Sequence, residues 1–140
     1  MPSPFPHIDT DIIIRFLTGD DLDKQRAAQT LLARVQRGEV TIMAPDTVIA
    51  DAVFVLRSPR LYNVSRADVA ALLTPLVRLR HFRVRNKRIV LRALELYSAS
   101  SSGFGDAMIL SSMEQNGATE IYSYDAKITR QASTTIRLEP

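Results

Sequence analysis

The sequence predicts a single α/β domain over residues 1–140, built as a three-layer α/β/α sandwich around a central, mainly parallel sheet of about five strands. Three observations lead to this prediction. The length of 140 residues suits one domain. Short β-type segments alternate with helical segments of about 10 to 15 residues, as in parallel sheets that are covered on both faces. The chain also has no internal repeat, which excludes solenoids and propellers.

Five segments have the composition of strands. Residues 5–9 form a short apolar run that polar residues close. Residues 81–85 alternate, with Phe82 and Val84 on one side and cations on the other. The other predicted strands are residues 40–43, 120–124 and 134–138.

Local signals mark the helices between the first three strands. Asp20 or Asp21 can cap a helix that stops at Gly38. Pro45 suits the first position of the next helix, which we expect to reach residue 57. Ser65 opens a third helix, inside which Pro75 predicts a kink or a break.

The second half of the chain carries three more helical segments. A basic helix is predicted over residues 87–99, and one or two helical turns over residues 126–131. Between them, residues 106–116 form a predicted helix that Gly117 stops. Its predicted inward face consists of Met108, Ile109, Ser112 and Met113.

The composition excludes several kinds of chemistry. Because the chain has no cysteine, it can form no disulfide, thiolate nucleophile or cysteine zinc site. Histidine is present only at His7 and His81, so carboxylates, hydroxyls, lysines and arginines remain as reactive groups. No apolar run approaches the roughly 18 residues of a membrane span, and residues 1–6 lack the features of a secretory signal. We therefore expect a cytoplasmic protein without membrane contact.

Positive charge is concentrated in one part of the chain. No acid lies between Asp68 and Glu95, a stretch that suits a phosphate-bearing partner or an acidic protein segment. A solvated helix face is the alternative interpretation. The cations of this stretch are Arg78, Arg80, Arg83, Arg85, Lys87, Arg88 and Arg92.

Four aspartates lie where a parallel sheet binds its ligands, outside the carboxyl ends of the strands. Asp9 and Asp125 end or follow predicted strands, and Asp51 and Asp106 lie on helices near the same edge. Carboxylates packed together repel one another unless a divalent cation lies between them, and magnesium or manganese suits such oxygen ligands. Helix caps and turns are the alternative roles for Asp9, Asp106 and Asp125.

Four segments that contain these aspartates resemble the acidic motifs of PIN-domain ribonucleases, in particular the VapC type of bacterial and archaeal toxin. The segments are residues 7–17, 48–56, 103–109 and 121–125. The ordered set of four carries the resemblance, which extends from Ile8 to about Leu138.

The resemblance implies a PIN-like fold and an acidic catalytic pocket that binds Mg²⁺ or Mn²⁺. The implied catalytic residues and metal ligands are Asp9, Asp51, Asp106 and Asp125, with Ser123, Thr10 and Asp11 in supporting positions. The sequence departs from the family pattern at four positions. Asp51 stands where most members have glutamate, Asp11 replaces a usual asparagine, and Gly103 and Lys127 stand where many members carry further acids.

The implied activity is metal-dependent hydrolysis of RNA phosphodiester bonds, by in-line attack of a water molecule. The resemblance also implies the toxin role in a toxin-antitoxin pair, with a cognate antitoxin and a homodimer. The cations that we expect to contact the RNA backbone are Arg83, Arg85, Lys87 and Arg88.

Two alternatives to a nuclease stay open. A degenerate PIN module would bind RNA or a protein partner without cleavage, and the altered positions 51 and 103 favour it. A haloacid-dehalogenase-like phosphatase would use Asp9 and Asp11 as nucleophile and acid. It ranks lower, because the further acid expected after Asp106 is missing and 140 residues leave little room for a cap domain.

Overall fold

This computed structural model describes residues 5–132 and 134–140. These residues contain six α-helices, one 3₁₀ helix and four short strands. None of the described helices is long and apolar enough to cross a membrane. In chain order the elements are α1 (Thr10–Leu17), α2 (Leu22–Gln36), β1 (Ile42–Ala44), α3 (Asp46–Arg57), α4 (Arg66–Arg78), β2 (Phe82–Val84), α5 (Lys87–Ser98), α6 (Phe104–Asn116), β3 (Glu120–Tyr122), the 3₁₀ helix (Ala126–Gln131) and β4 (Ile136–Leu138).

The strands pair in parallel, as the sequence predicts, but they form two separate pairs. β1 pairs with β2 and β3 pairs with β4. The predicted first strand, residues 5–9, is reduced to a parallel bridge between His7 and Met43. Pro6 has no N–H to donate, which limits the pairing of this segment. A five-stranded sheet is therefore not found among residues 5–132 and 134–140.

The core lies between the β1–β2 pair and the helices around it. On β2, Phe82 and Val84 are buried and Arg83 is exposed, which confirms the predicted alternation. The largest fully buried side chains also include Ile42 on β1 and Leu94 on α5. Burial of apolar side chains from every α-helix holds the short strands in place.

The predicted helix ends are confirmed where local chemistry sets them. The Asp21 carboxylate caps α2 by accepting a hydrogen bond from the backbone N–H of Lys24 at 3.1 Å. The Ser65 hydroxyl caps α4 in the same way, at 3.1 Å from the N–H of Asp68. Gly117 ends α6 with a φ of 68°, a conformation that glycine adopts without a Cβ clash.

The helices differ from the prediction in two respects: α1 is an additional helix, and of the kink or break predicted at Pro75 the break is not found. Helix α1 was not predicted, because its isoleucine-rich sequence has low helix propensity. Its formation is explained by the cap at Asp9 and by burial of Ile13 and Ile14. Pro75 does not break α4, which continues to Arg78.

The predicted inward face of α6 is also wrong. Ile109 is 45% exposed, and Met108, Ser112 and Met113 are only partly buried. The helix begins at Phe104, two residues earlier than predicted, and its buried face follows from that residue. The side chains on this face are Phe104, Ala107, Leu110 and Ser111.

Candidate acidic active site

Asp9 lies at the start of α1, directly after the segment that pairs with β1. Its carboxylate accepts a hydrogen bond from the backbone N–H of Thr10 at 2.6 Å, so Asp9 acts as the helix cap. The side chain is exposed. Asp11, in the first turn of the same helix, is exposed as well.

Thr10 connects this helix start to the helix that carries Asp51. Its hydroxyl donates to the carbonyl of Val48 at 3.4 Å, and α1 packs against α3. Asp51 follows Val48 by three residues, which is nearly one helical turn. Its neighbours Ala52 and Val53 are buried, whereas Asp51 is exposed, so its carboxylate lies at the outer edge of α3. Within the described part of the chain, no hydrogen bond or ion pair involves this carboxylate.

Asp106 lies in the first turn of α6 and is half-buried. The N-terminus of a helix carries partial positive charge, which favours a carboxylate at this position. Asp125 follows β3 and caps the 3₁₀ helix by accepting from the N–H of Lys127 at 2.9 Å. Both carboxylates line the same pocket, which has a volume of about 650 Å³.

Ser123 fixes the turn that presents Asp125. Its hydroxyl accepts a hydrogen bond from the backbone N–H of Asp125 at 3.0 Å. Its carbonyl accepts from the guanidinium of Arg137 on β4 at 2.9 Å, and that guanidinium also pairs with Glu139 at 2.7 Å. The turn after β3 is therefore held both within itself and from the neighbouring strand.

A further wall of the pocket consists of Leu96 near the end of α5 and the serine-rich loop, residues 99–102. Arg66 holds this wall from α4. Its guanidinium carbon lies 3.9 Å from the centre of the Tyr97 ring, and its Nε donates to the Tyr97 carbonyl at 3.2 Å. Its Nη2 donates to the carbonyl of Ser102. Sequence reasoning missed Arg66, because its partners are 31 and 36 residues away in the chain.

The four predicted acids are thus only partly brought together. Asp106 and Asp125 line one pocket, and Asp9 lies close in sequence to the contact between α1 and the helix of Asp51. Among residues 5–132 and 134–140, no three acidic or histidine side chains form a group that could hold a metal ion.

The predicted basic residues differ in their surroundings. Arg85 and Arg88 are exposed, whereas the Arg83 guanidinium stacks over the Phe5 ring at 4.8 Å. The Lys87 ammonium donates to the carbonyl of Leu79 at 2.8 Å. Burial lowers the pKa of Lys87. The Lys87 ammonium therefore caps the C-terminal end of α4.

The start of α5 lies beside the start of α3. The side-chain amide of Asn86 donates to the carboxylate of Asp46 at 3.1 Å. Ser98, the last residue of α5, adjoins the pocket wall. Because a helix rises about 1.5 Å per residue, Arg88 is about 15 Å along α5 from Ser98. The basic start of α5 is consequently near the helix of Asp51 and far from the pocket of Asp106 and Asp125.

Two comparisons with known proteins bear on this site. The profile of the PIN domain family matches residues 7–133, a range that includes all four aspartates. A VapC ribonuclease from Aquifex aeolicus (strain VF5) is 23% identical over 129 residues, which cover 92% of this chain and 93% of that protein.

Proposed function

Because the chain belongs to the PIN domain family, we propose that it is a metal-dependent endoribonuclease, the toxin of a toxin-antitoxin pair, acting on RNA in the cytoplasm. The observation that carries this proposal is the shared pocket of Asp106 and Asp125, two acids that come from different elements. The similarity to a VapC ribonuclease over nearly the whole chain supports the same activity.

The donor set fits a hard divalent cation. Carboxylate oxygens are the ligands that Mg²⁺ and Mn²⁺ prefer, and the chain has no thiolate to favour softer metals. Asp106 and Asp125 would hold the ion, and Asp9 and Asp51 would complete the ligand set. When bound, the ion supplies Lewis acidity that lowers the pKa of a water molecule and offsets charge on the scissile phosphate.

The chain's own residues orient the acids. Ser123 holds the backbone of Asp125 in its turn. Thr10 ties the helix start beside Asp9 to α3, so that it acts as a supporting residue for both Asp9 and Asp51. Asp11 adds negative charge at the same edge.

We assign RNA backbone contacts to the basic start of α5 and the end of β2. Arg85 and Arg88 are exposed near the start of α3 and can meet phosphates there. Arg83 and Lys87 are expected to contribute less, because one stacks on Phe5 and the other donates to Leu79. Such contacts give affinity that falls with salt and tolerates different sequences.

The proposal includes a cognate antitoxin and a homodimer. Large apolar side chains on the surface support binding to a protein partner. Phe54 on α3 is 76% exposed, and Leu61 and Leu72 are exposed too. Leu72 lies on α4 and Leu61 lies in the turn between α3 and α4, so these two helices and the turn offer surfaces for an antitoxin or a second copy.

The activity is tested by RNA cleavage with purified protein that has been freed of antitoxin, in Mg²⁺ or Mn²⁺ and in EDTA. We expect Asp106→Asn and Asp125→Asn each to lower the cleavage rate about a hundredfold or more, because a neutral amide binds a divalent cation more weakly than a carboxylate does. Asp23→Asn, an exposed acid on α2, serves as the control. Cleavage that persists undiminished in both pocket variants would overturn the mechanism.

A non-cleaving PIN module is the second candidate. The absence of a three-acid group among the described residues favours it. RNA binding without cleavage by the wild-type protein in either metal would establish this module. The match to the PIN family favours both candidates over the haloacid-dehalogenase-like phosphatase.

A further inference from the structure

We propose that Lys127 and Arg130 form a phosphate-binding subsite that seats an RNA phosphate beside Asp106 and Asp125. This inference rests on the proposed function and identifies the residues that position the substrate. It concerns a pair of cations outside the basic stretch of residues 78–92.

Both cations line the pocket that contains the two acids. Lys127 follows Asp125 by two residues, and its backbone N–H satisfies that carboxylate, so its ammonium is not required for the turn. Within residues 5–132 and 134–140, neither Lys127 nor Arg130 has a side-chain hydrogen bond or an ion pair. Both side chains are exposed.

Several other arginines of the chain are already neutralised. Arg15, Arg37, Arg92 and Arg137 each lie within 3.2 Å of a carboxylate oxygen. Lys127 and Arg130, by contrast, lie at a concave surface and have no carboxylate partner within residues 5–132 and 134–140, so their positive charges are available to a ligand. An anionic ligand of small size satisfies them.

The formal charges in the pocket cancel. Asp106 and Asp125 contribute two negative charges, and Lys127 and Arg130 contribute two positive charges. Lys127 and Arg130 therefore offset the repulsion that the two pocket carboxylates exert on a phosphate. The volume of about 650 Å³ is in the range of pockets that bind small ligands.

The basic start of α5 cannot fill this role. Arg88 is about 12 Å along α5 from Leu96, the residue of this helix that lines the pocket, and none of Arg83, Arg85 and Lys87 lines it either. Two separate phosphate contacts follow from this geometry. One is at the acids, through Lys127 and Arg130, and the other is further along the RNA, at Arg85 and Arg88.

The test measures RNA binding in EDTA by fluorescence anisotropy of a short labelled single-stranded RNA, so that cleavage plays no part. We expect Lys127→Ala and Arg130→Ala each to weaken binding several-fold at low salt. Each should also reduce the slope of log affinity against log salt by about 0.7, the value for one phosphate contact on a single strand. Lys127→Arg should restore most of the affinity.

Lys24→Ala and Arg26→Ala, on the exposed surface of α2, are the charge-matched controls. Circular dichroism confirms that every variant is folded. If the wild type binds and cleaves RNA and the Lys127 and Arg130 variants keep its affinity and salt slope, the subsite is overturned while the nuclease stands. If the wild type binds no RNA in EDTA, the subsite is overturned, and the proposed function fails only if the wild type also leaves RNA uncut in Mg²⁺ and Mn²⁺.

Discussion

Ser111 lies on the buried face of α6. Its side chain is fully buried between α5 and α6, and its hydroxyl donates to the carbonyl of Ile89 at 2.8 Å. The neighbouring Ser112 lies on the edge of the helix, where its carbonyl and its hydroxyl accept hydrogen bonds from the side-chain amide of Asn116. The two serines therefore differ in burial although they are adjacent in the sequence.

We expect Ser111→Ala to lower the free energy of unfolding by about 1 kcal/mol, because a buried hydrogen bond is lost. Ser112→Ala should stay within about 0.5 kcal/mol of the wild type, since its hydroxyl reaches solvent. Urea unfolding of both variants provides the comparison. A larger cost at Ser112 would support the inward face predicted from the sequence.

Asp20 connects three segments near the start of α2. It accepts hydrogen bonds from the hydroxyl of Tyr62 at 2.7 Å and from the hydroxyl of Thr18 at 3.0 Å, and it pairs with Arg15 at 3.2 Å. The hydrogen bond from Tyr62 is the largest cause that lowers the pKa of Asp20 below its ordinary value of 3.8.

A depressed carboxyl pKa stabilises the fold above the unfolded pKa, and this contribution is lost as the pH falls through the folded pKa. We expect Asp20→Asn to be less stable than the wild type at about pH 6, with a difference that shrinks below about pH 3.8. Urea midpoints across this range measure the effect. The control is Glu120→Gln, which replaces an exposed acid at the start of β3 that has no side-chain hydrogen bond or ion pair within residues 5–132 and 134–140.

The sequence predicts those residues whose role depends on near neighbours. Asp21 and Ser65 cap helices through bonds to residues three positions away, so the local sequence identifies them. The position of Asp125 after a strand is predicted for the same reason. Arg66 could not be found in this way, because its contacts to Tyr97 and Ser102 exist only after α4 and α5 have packed.

At the scale of the element, propensity and packing can disagree. In α1, the run Ile12, Ile13 and Ile14 favours a strand, but burial of two of these side chains and the cap at Asp9 produce a helix. In α4, Pro75 is tolerated on the exposed side of a helix whose other face is buried. Tertiary packing stabilises both helices against their local preference.

Pro75 should therefore lower stability even though it does not end α4. It has no N–H to donate to the carbonyl of Ala71, and proline costs about 3 kcal/mol relative to alanine inside a helix. We expect Pro75→Ala to raise the free energy of unfolding by about 2 kcal/mol, because the variant also gains about 1 kcal/mol of entropy when unfolded. Urea unfolding of the two proteins measures this gain.

Pro59→Ala is the matched control, because Pro59 is exposed and lies outside the helices. It should give no gain in stability. If Pro75→Ala is no more stable than the wild type, the helix is already distorted at this position, and the proline does not destabilise it as it would a regular helix.

For the whole molecule, strand pairing was harder to predict than the helices. The described strands have three residues each, so few backbone hydrogen bonds fix their neighbours. The partners Ile42 and Phe82 are 40 residues apart in the chain, and no local signal specifies such a pair. The alternation of strands and helices does predict that the strands pair in parallel, because parallel neighbours need a crossover connection such as a helix.

A divalent cation would act on the whole molecule, since the four acids belong to distant parts of the chain. A ligand that binds only the folded state at a concentration of 100 times its Kd raises the free energy of unfolding by about 2.7 kcal/mol. We expect Mn²⁺ to give a rise of this size in the wild type and EDTA to remove it. The measurement is urea unfolding, which requires no RNA and no turnover.

The double variant Asp106→Asn, Asp125→Asn should show no such rise, because it lacks the two carboxylates that share the pocket. Asp23→Asn should keep it, since that acid lies on the surface of α2. An equal rise in the double variant would place the cation elsewhere on the protein. No rise in the wild type would favour the non-cleaving module, because without an ion nothing in the pocket lowers the pKa of a water molecule for attack on a phosphate.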